Sequence, residues 1–563
     1  MKSQITRKTR IVIATLGALQ SLPLSAAELP GSVQPGQVER QMSRPPESRS
    51  QPAAPVSAPG TPSLQAPANA AQVRFVLTRL DIEGVSAYSP ETLRPFYTGL
   101  LQREISLADI YQLAQTLTAH YRNDGYILSQ VIVPPQAIEQ GTVRLKVVEG
   151  QIADVRIEGA DAATLERLQA YAERIRAARP LNTADLEHAL LLMNELPGVS
   201  VRAAIVPAPA QPGASNLVLQ VGAGRVDGGF SVDNRYSRAL GPVRFSADIN
   251  ANNLFGWQER IGLRAITTGD EEMRYLALSY DQPVGRHGGK ISLNASHTRS
   301  VPDMSSAFIP LDLVTASHSG SVTYSHPLLR SRNENLTLRT SLTAYNGETR
   351  LFGDRDTHER IRALRFGLTY DLADRHQGIN LLDIEIGQGL KAFGASKAGD
   401  PNLSRTAGRP DFTKLNVYAS RLQSLYPGWS LLAALNVQYA FTDLLSPELG
   451  SFGGEQFGRG YDPSELVGDH STALKLELRY NGTLTERKLP FVLYGFYDAG
   501  AVRQRSPAGG EASTSAASSG IGFRVSLGNS FSGYVEAAKP LTKPRGDDGS
   551  HDLQTYAGLA YRF

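Results

Sequence analysis

The sequence predicts an all-β transmembrane barrel of 16 antiparallel strands, preceded by two smaller α+β modules. Three observations support this fold class: many segments that alternate apolar and polar residues, a short apolar segment behind a basic N-terminus, and no other apolar stretch of membrane-helix length. In Ser471–Tyr480, for example, Leu474, Leu476 and Leu478 alternate with charged residues. A period of two places successive side chains on opposite faces of a strand, so one face suits lipid and the other suits water.

The barrel prediction depends on the number of such segments, because each one alone is a weak signal. Sixteen of them follow residue 224, and an even number of this size is typical of bacterial outer-membrane barrels with an aqueous lumen. A soluble all-β protein has the same period, so alternation alone leaves that alternative open. The predicted strands are centred on Gly229, Phe245, Leu263, Leu276, Leu293, Val322, Leu338, Phe366, Ile384, Val417, Leu435, Leu476, Tyr494, Phe523, Tyr534 and Leu559.

The N-terminus predicts export from the cytoplasm. Basic residues within the first ten positions precede the apolar segment Ile11–Leu24, and the small residues Ser25–Ala27 follow it. This order is typical of a cleaved secretory signal peptide, which we assign to residues 1–27. An exported chain with alternating strands and no membrane-spanning apolar helix is expected in the bacterial outer membrane.

The composition excludes several classes of function. The chain has 57 basic and 54 acidic residues, but four of the basic residues and none of the acidic ones lie in the predicted signal peptide. The mature chain is therefore close to neutral, which does not support nucleic-acid binding. The absence of cysteine excludes disulfides and thiol chemistry. No G-x-x-x-x-G-K run and no H-E-x-x-H motif occurs, so we expect no nucleotide, metal or other cofactor.

The mature chain divides into a linker, two modules and the barrel. Residues 28–72 are rich in Pro, Ser, Ala and Gln and form a Pro-rich N-terminal segment, in which Pro35–Met42 is predicted to form about two helical turns. Residues 73–150 and 151–223 share one β-α-α-β-β order, and residues 224–563 form the barrel. The predicted module strands are Phe75–Ile82, Ser129–Pro134, Thr142–Glu149, Ala153–Ile157, Val199–Val206 and Asn216–Val221, and the helices are Pro90–Leu100, Leu107–Asp124, Ala162–Ala178 and Thr183–Leu196.

Four motifs make a family resemblance specific. The stretch Gly125–Gln136, followed by Val147–Gly150, resembles the first polypeptide-transport-associated (POTRA) domain of two-partner secretion transporters, the TpsB family. Leu190–Val199 resembles their second POTRA domain. Phe457–Tyr461 and Phe496–Gly500 resemble a loop motif and a strand motif of the wider outer-membrane-assembly superfamily. The POTRA motif residues in the first stretch are Gly125, Tyr126, Pro134, Pro135 and Gly150.

The resemblance implies that the motif Arg459-Gly460-Tyr461 folds back into the pore. The segment Ser446–His470 joins predicted strands eleven and twelve, so it is the sixth extracellular loop if the modules are periplasmic. On strand thirteen, Asp498 and Gly500 share one face, and a lumen-facing Asp498 could pair with Arg459 through two parallel hydrogen bonds. From the residues alone, two ordinary unpaired charges remain the alternative.

The resemblance also implies a function. The expected protein is an outer-membrane transporter whose periplasmic POTRA domains recognise a secreted exoprotein client of haemagglutinin or haemolysin type, by adding a client strand to a sheet edge. The client would then pass unfolded through the barrel, and its folding outside would bias transport. Further expected partners are outer-membrane lipid and the barrel-assembly machinery, for which Tyr561 and Phe563 form a C-terminal assembly signal.

Other functions stay open at this point. An assembly insertase that folds other barrels would share the architecture, although such relatives commonly carry more POTRA domains. A passive porin would explain the barrel alone, and a barrel enzyme could use the acidic and histidine residues between 547 and 552. In many family members a longer N-terminal helix plugs the pore. Here the prolines of residues 28–72 limit the length of such a helix. Either a very short helix or the sixth loop alone is expected to close the pore.

Overall fold

The chain forms an N-terminal segment, two α+β modules and a barrel, in that order. The computed structural model describes residues 30–42, 46–51, 65–208, 211, 213–269, 271–303, 312–484, 489–507, 512–546 and 548–563, and the statements below concern these residues. The predicted signal peptide lies outside them. In the N-terminal segment, a 3-10 turn at Gly31–Val33 leads into helix α1 (Pro35–Gln41), which begins at a proline because proline has no N–H to leave unpaired.

The first module is a small sheet packed against two helices. Its core contains Ile110, Leu117 and Tyr121 from one helix and Val143 and Leu145 from the central strand. The central strand pairs in parallel with one neighbour and antiparallel with the other. The elements are β1 (Arg74–Val76), β2 (Arg79–Glu83), α2 (Pro90–Tyr97), β3 (Glu104–Ser106), α3 (Leu107–Asn123), β4 (Gln130–Ile132) and β5 (Thr142–Val148).

The prediction of one strand over Phe75–Ile82 is wrong, because the chain changes sheets at Leu77 and Thr78. β1 pairs with β3, whereas β2 pairs with β5. Between them, the Leu77 N–H donates to the Arg103 carbonyl and the Thr78 N–H donates to the Gly141 carbonyl. Phe75-Val76-Leu77 are consecutive apolar residues and Thr78-Arg79 are consecutive polar ones, so a single strand across residues 75–82 overlooks an interruption of the alternation.

The second module repeats the arrangement, with a central strand that pairs in parallel on one side and antiparallel on the other. Its two helices are capped at their N-termini by Asp161 and Asn182, whose side chains accept hydrogen bonds from the Thr164 and Ala184 N–H groups, respectively. Leu168, Met193 and Leu217 lie in its core. The elements are β6 (Gln151–Glu158), α4 (Ala162–Ala177), α5 (Thr183–Asn194), β7 (Val199–Pro207) and β8 (Ala214–Ala223).

The remainder of the chain forms a closed antiparallel barrel, and the prediction of sixteen strands is confirmed. Every predicted centre falls within one of its strands. The strands are β9 (Val226–Asp233), β10 (Arg244–Asn252), β11 (Arg260–Thr268), β12 (Met273–Val284), β13 (Gly289–Ser300), β14 (Leu313–Arg330), β15 (Glu334–Leu351), β16 (Asp354–Ala373), β17 (Gly378–Gly389), β18 (Thr413–Tyr426), β19 (Trp429–Ala440), β22 (His470–Leu484), β23 (Leu489–Arg503), β24 (Ser513–Leu527), β25 (Phe531–Pro540) and β26 (Gln554–Arg562). Two further strands, β20 (Gly450–Phe452) and β21 (Leu466–Gly468), form a hairpin between β19 and β22.

The barrel strands present apolar side chains outward and charged side chains to the lumen. On β22, Leu474, Leu476 and Leu478 are exposed on the outer face, whereas the intervening Glu477 is buried inside. In the part of the chain that the structure describes, no helix has both the length and the apolar composition needed to cross a bilayer.

The second module packs against the turns at one end of the barrel, which we call the proximal end. The Arg167 side chain donates to the Gly285 carbonyl between β12 and β13 (2.7 Å). The Gln258 amide donates to the Thr164 hydroxyl (2.9 Å), and a His188 ring nitrogen lies 2.9 Å from the Arg330 carbonyl. The connection between β19 and β22 therefore starts and ends at the opposite, distal end.

Candidate functional site in the barrel lumen

The connection between β19 and β22, residues 441–469, returns from the distal end into the barrel and is called loop 6 below. Its β20–β21 hairpin carries a tight tip in which the Gly453 N–H donates to the Phe457 carbonyl (3.0 Å) and the Tyr461 N–H donates to the Gly458 carbonyl (2.9 Å). Gly458 has a φ of +86°, which favours glycine over residues with a Cβ. This turn presents the Arg459 side chain to the barrel wall.

Arg459 forms a bidentate pair with Asp498 on β23. Its Nε and one terminal nitrogen each lie 2.9 Å from a different oxygen of the Asp498 carboxylate. That carboxylate also accepts the backbone N–H groups of Gly458 (3.2 Å) and Arg459 (3.0 Å). Arg459 is 2% exposed and Asp498 is fully buried. Charge-assisted bonds of this geometry are strong and directional, so the pair positions the whole tip of loop 6.

Two further carboxylates surround the same guanidinium. Arg459 also contacts Glu477 on β22, and it lies 3.8 Å from Glu536 on β25. The ring of Phe496, two residues before Asp498, stacks against the guanidinium carbon at 3.5 Å from the ring centroid. Arginine suits this site because its planar group can bond in several directions and stack at once.

Other arginines balance these carboxylates. Arg524 and Arg479 bond to Glu477 at 2.9 and 2.7 Å, and Arg235 bonds to Glu536 at 2.8 Å. The result is a continuous charged network that connects loop 6 to β22, β23, β24, β25 and the connection between β9 and β10. Removing one member of a buried network leaves its partner charges uncompensated, which is costly.

Two motif glycines allow loop 6 to approach the wall closely. A Cβ on Gly460 would lie 2.8 Å from the Ser518 Cβ and 3.0 Å from the Lys539 carbonyl carbon. A Cβ on Gly500 would lie 2.2 Å from the ring of Phe452, which belongs to the β20–β21 hairpin. Both positions therefore need glycine for space.

Tyr461 completes the contact on the apolar side. Its ring is 1% exposed and packs in a cluster with Phe452, Phe457 and Val502. Its hydroxyl lies 3.0 Å from the Ala517 carbonyl and 2.9 Å from the Lys543 carbonyl.

Helix α1 lies inside the barrel against loop 6. The Gln37 amide, which is fully buried, donates to the carbonyls of Ser446 (2.8 Å) and Leu449 (3.1 Å) in loop 6. On another side of the helix, Glu39 accepts from the Ser296 hydroxyl of β13 (2.8 Å). Val33, Val38 and Met42 pack against apolar residues of the wall and of the β9–β10 connection. Both expected elements, a very short helix and the sixth loop, thus occupy the lumen together.

An ion-pair cluster joins α1, loop 6 and the wall. Glu448 of loop 6 lies 2.7 Å from the Lys414 amine of β18 and 2.6 Å from Arg365 of β16. Arg40 of α1 lies 3.6 Å from the same carboxylate and also donates to the Leu449 carbonyl. Because three cations share one loop carboxylate, loop 6 is held from both the wall and the helix.

Two of the five POTRA motif residues, Gly125 and Gly150, lie at the junction of the two modules. Gly125 has a φ of +92°, and its carbonyl accepts from both the N–H and the hydroxyl of Thr183, at 2.9 and 2.8 Å. Gly150 lies so close to Leu128 that a Cβ would come within 2.3 Å of the Leu128 Cβ. The Gly150 carbonyl accepts from the Leu181 N–H (2.9 Å) of the second module.

The remaining motif residues of the first module are structural. Tyr126 packs edge-on against the rings of Tyr88 and Tyr121. Pro134 and Pro135 follow the short strand β4 and end it, because proline cannot donate to a sheet ladder.

The predicted C-terminal residues lie at the closing seam of the barrel. β26 pairs with β9 only over Gly558–Arg562. Phe563 extends this pairing, since its N–H donates to the Gly228 carbonyl (3.1 Å). The rings of Tyr561 and Phe563 pack outside the barrel on Phe531 and Phe230, respectively.

Several contacts of the site were missed from the sequence. Glu477 lies in the most regular alternating segment, and this pattern predicts that its side chain faces the lumen. Nothing in the sequence indicates Arg459 as its partner. Glu536 and the stacking of Phe496 were not predicted. Alternation assigns a face to a residue but does not tell which lumen residues meet across the barrel.

Comparison with known proteins identifies the family. The family model described as haemolysin secretion/activation protein ShlB/FhaC/HecB matches residues 213–525, and the ShlB-type POTRA domain matches residues 75–150. The heme/hemopexin transporter protein HuxB of Haemophilus influenzae (strain 86-028NP) is 23% identical over 485 residues, 84% of each chain. The outer membrane transporter CdiB of Dickeya dadantii is 25% identical over 393 residues, 68% of each chain.

The solved structures show the same fold. CdiB from Escherichia coli superposes with a TM-score of 0.71 at 19% identity, covering 90% of this chain and 93% of that one. The family model spans more than half of the chain. The predicted location is confirmed: the barrel lies in the outer membrane, and the POTRA domains and the proximal end of the barrel face the periplasm. The chain belongs to the ShlB/FhaC/HecB family of haemolysin secretion/activation proteins, and it is a two-partner secretion transporter rather than an enzyme.

Proposed function

We propose that this transporter recognises one secreted exoprotein with its POTRA domains and passes it unfolded through the barrel to the cell surface. The observation that carries the proposal is the position of the edge strand β7, which lies beside α5 in the module that packs on the proximal end of the barrel. A client strand added to β7 would be bound close to the entrance of the lumen.

The geometry of β7 suits strand addition. β7 spans nine residues, and among the described strands it pairs with β8 alone. The Val201 N–H donates to the Asn194 side chain (2.8 Å) and the Val201 carbonyl accepts from it (3.2 Å), so these groups point away from β8. Backbone groups alternate in direction along an antiparallel strand, so those of Ala203 and Ile205 also point outward. They offer the donors and acceptors that an extended client needs.

The first module offers a shorter edge. β4 has three residues, and its Val131 N–H already donates to the Thr118 hydroxyl (2.9 Å). We therefore assign the main client contact to β7 of the second module and propose that the first module orients it through the Gly125–Thr183 junction.

Transport requires that the lumen contents move. In the proposed cycle the client displaces α1, and loop 6 shifts against the wall or leaves it. The client is proposed to be a haemagglutinin- or haemolysin-like exoprotein. During biogenesis, Tyr561 and Phe563 would serve as the signal for the barrel-assembly machinery, and the exposed outer leucines would contact membrane lipid.

A proline substitution in β7 tests client recognition. Ala203→Pro removes one outward N–H group, which makes no bond to β8, so the fold should survive. Binding of the exoprotein's N-terminal domain to the full transporter should fall about tenfold, or about 1.4 kcal/mol. Ala203→Thr keeps the N–H and should bind normally. Equal binding by both variants, measured by surface plasmon resonance, would exclude strand addition at β7.

A further inference from the structure

We propose that Asn335 and Asp371, at the proximal mouth of the barrel, form a binding site for an extended polypeptide segment, and that Pro46–Gln51 of the chain itself occupies this site at rest. The inference rests on the proposed function, because the segment that would replace Pro46–Gln51 is part of the client. The site lies apart from the loop 6 network and from α1.

The site consists of paired lumen residues on neighbouring strands. Asn335 on β15 and Asp371 on β16 are direct register partners. They are 2% and 3% exposed, respectively, and the Asn335 amide donates to Asp371 at 3.1 Å. Ser50, which is 4% exposed, lies between them, so the wall residues and the N-terminal segment bury one another.

The hydrogen bonds of the site involve backbone N–H groups and small hydroxyl groups of Pro46–Gln51. One oxygen of the Asp371 carboxylate accepts the N–H groups of Arg49 (3.1 Å) and Ser50 (2.7 Å). The same oxygen accepts the Ser48 hydroxyl (3.1 Å) and the Ser50 hydroxyl. The Gln51 N–H donates to the Arg332 carbonyl in the turn between β14 and β15 (2.9 Å). Most of these groups are present in any extended chain, so the site does not depend on one unique sequence.

The second module also contacts the N-terminal segment at the proximal mouth of the barrel. Glu195, which follows α5 directly, accepts from Arg330 of β14 (2.5 Å) and lies 3.5 Å from the Arg49 guanidinium. Ser48 and Ser50 therefore face the barrel wall, whereas Arg49 between them faces the module. A segment leaving β7 would meet this mouth first, which makes it a transfer point between POTRA domain and pore.

The electrostatics show what kind of occupant the site suits. Without Pro46–Gln51, the Asp371 carboxylate would keep Asn335 as its one described protein donor and would be open to water in the mouth of the barrel, because the segment is part of what buries it. An occupant must therefore supply donors that replace that water, as the backbone N–H groups and hydroxyls of Pro46–Gln51 do. The chemistry favours an extended segment in which small hydroxyl residues alternate with a basic residue.

A peptide competition experiment tests the site in the full-length transporter in detergent. The probe is a fluorescent hexapeptide with the sequence of residues 46–51, titrated by anisotropy. Wild type should bind it weakly because the site is occupied, and the Ser48→Ala/Ser50→Ala protein should bind it at least about tenfold more tightly. Adding Asp371→Asn to that background should remove the gain. Equal binding with and without Asp371→Asn, or no binding by any variant, would overturn the proposal.

A second arm connects the site to the client. A photo-cross-linking residue at Thr337, the next lumen-facing position on β15 after Asn335, should capture the exoprotein during secretion. The same residue at Thr340, on the lipid-facing side of β15, should not. Secretion with no cross-link at Thr337 would overturn the transfer point while leaving the transport function intact. Absence of any secretion by the parent strain would instead contradict the transport function, while the peptide titration would still decide the site.

Discussion

The Arg459 guanidinium and the Asp498 carboxylate bond through two parallel contacts of 2.9 Å inside the barrel, although they lie 39 residues apart. The pair fastens the tip of loop 6 to β23. Because Arg459 also contacts Glu477, the two partners are not equivalent. Loss of the arginine leaves the buried Asp498 without a described ion-pair partner, whereas Glu477 and Glu536 keep other arginines. Loss of Asp498 leaves the arginine with Glu477 and Glu536.

This asymmetry predicts the order of mutant effects. Arg459→Ala should impair secretion more than Asp498→Ala. We expect Arg459→Ala to destabilise the loop 6 contact by about 3 kcal/mol and Asp498→Ala to destabilise it by less. The double mutant should resemble Arg459→Ala because the two residues interact. Arg459→Lys should be only partly active, since lysine lacks the planar fork. Secretion normalised to transporter abundance measures the effects, and strictly additive losses would contradict the pairing.

Gly500 predicts a steric test of loop 6. Gly500→Ala should displace the β20–β21 hairpin, because the new Cβ would lie 2.2 Å from the Phe452 ring. Overpacking of this kind costs about 1 to 3 kcal/mol. Gly495→Ala on the same strand is the matched control, as its nearest neighbour is the Gly520 carbonyl oxygen at 3.9 Å. Single-channel recordings should show an altered conductance for Gly500→Ala alone.

Helix α1 predicts a change in the resting conductance. Gln37→Ala removes the donor to two loop 6 carbonyls and leaves them buried, at a cost of about 1 to 3 kcal/mol. The helix should leave the lumen more often, so planar bilayers should show more frequent or larger openings. Gln41→Ala, which loses only a 3.5 Å approach to Ser464, is the control. An unchanged conductance in both would mean that loop 6 closes the pore without the helix.

The first POTRA domain predicts a pH dependence. Burial would raise the pKa of Glu149, but hydrogen bonds from the Ser86 hydroxyl and from the Ala87 and Ser86 N–H groups outweigh it and hold this pKa below the ordinary glutamate value. A carboxylate with a lowered folded-state pKa contributes stability that is present above its unfolded pKa and is lost as the pH falls through the folded value. The domain should therefore loosen in acid.

Glu149→Gln tests this contribution. At neutral pH the substitution should destabilise the domain by about 1 kcal/mol, and the difference from wild type should shrink in acid, where the carboxyl is protonated in both states. Hydrogen exchange of α3 and β5 in the full-length protein measures it. A difference that stays constant with pH would show that the charge of Glu149 does not contribute.

The strand number and the two faces of the barrel can be predicted from the sequence. Alternation is a local property, because each strand residue points to the opposite side from its neighbours. The faces of Leu476 and Glu477 can therefore be assigned from their own segment. The motifs were also sufficient for the family and for Arg459 and Asp498 as partners on opposing elements. The strand break at Leu77 is not predicted, because the polar pair Thr78-Arg79 interrupts the apolar pattern without showing that the two strands pair with different neighbours.

Which lumen residues contact one another depends on the closed barrel. Glu536 faces the lumen by alternation, yet its approach to Arg459 depends on barrel closure. Gln37 contacts a loop more than 400 residues later, and Ser50 contacts Asp371 more than 300 residues later. Alternation does not predict contacts between residues so far apart in the sequence, because it indicates the face of a strand and not which residues lie opposite that face. These contacts arise when closure of the sheet brings distant strands around one confined volume, where buried charges must find partners.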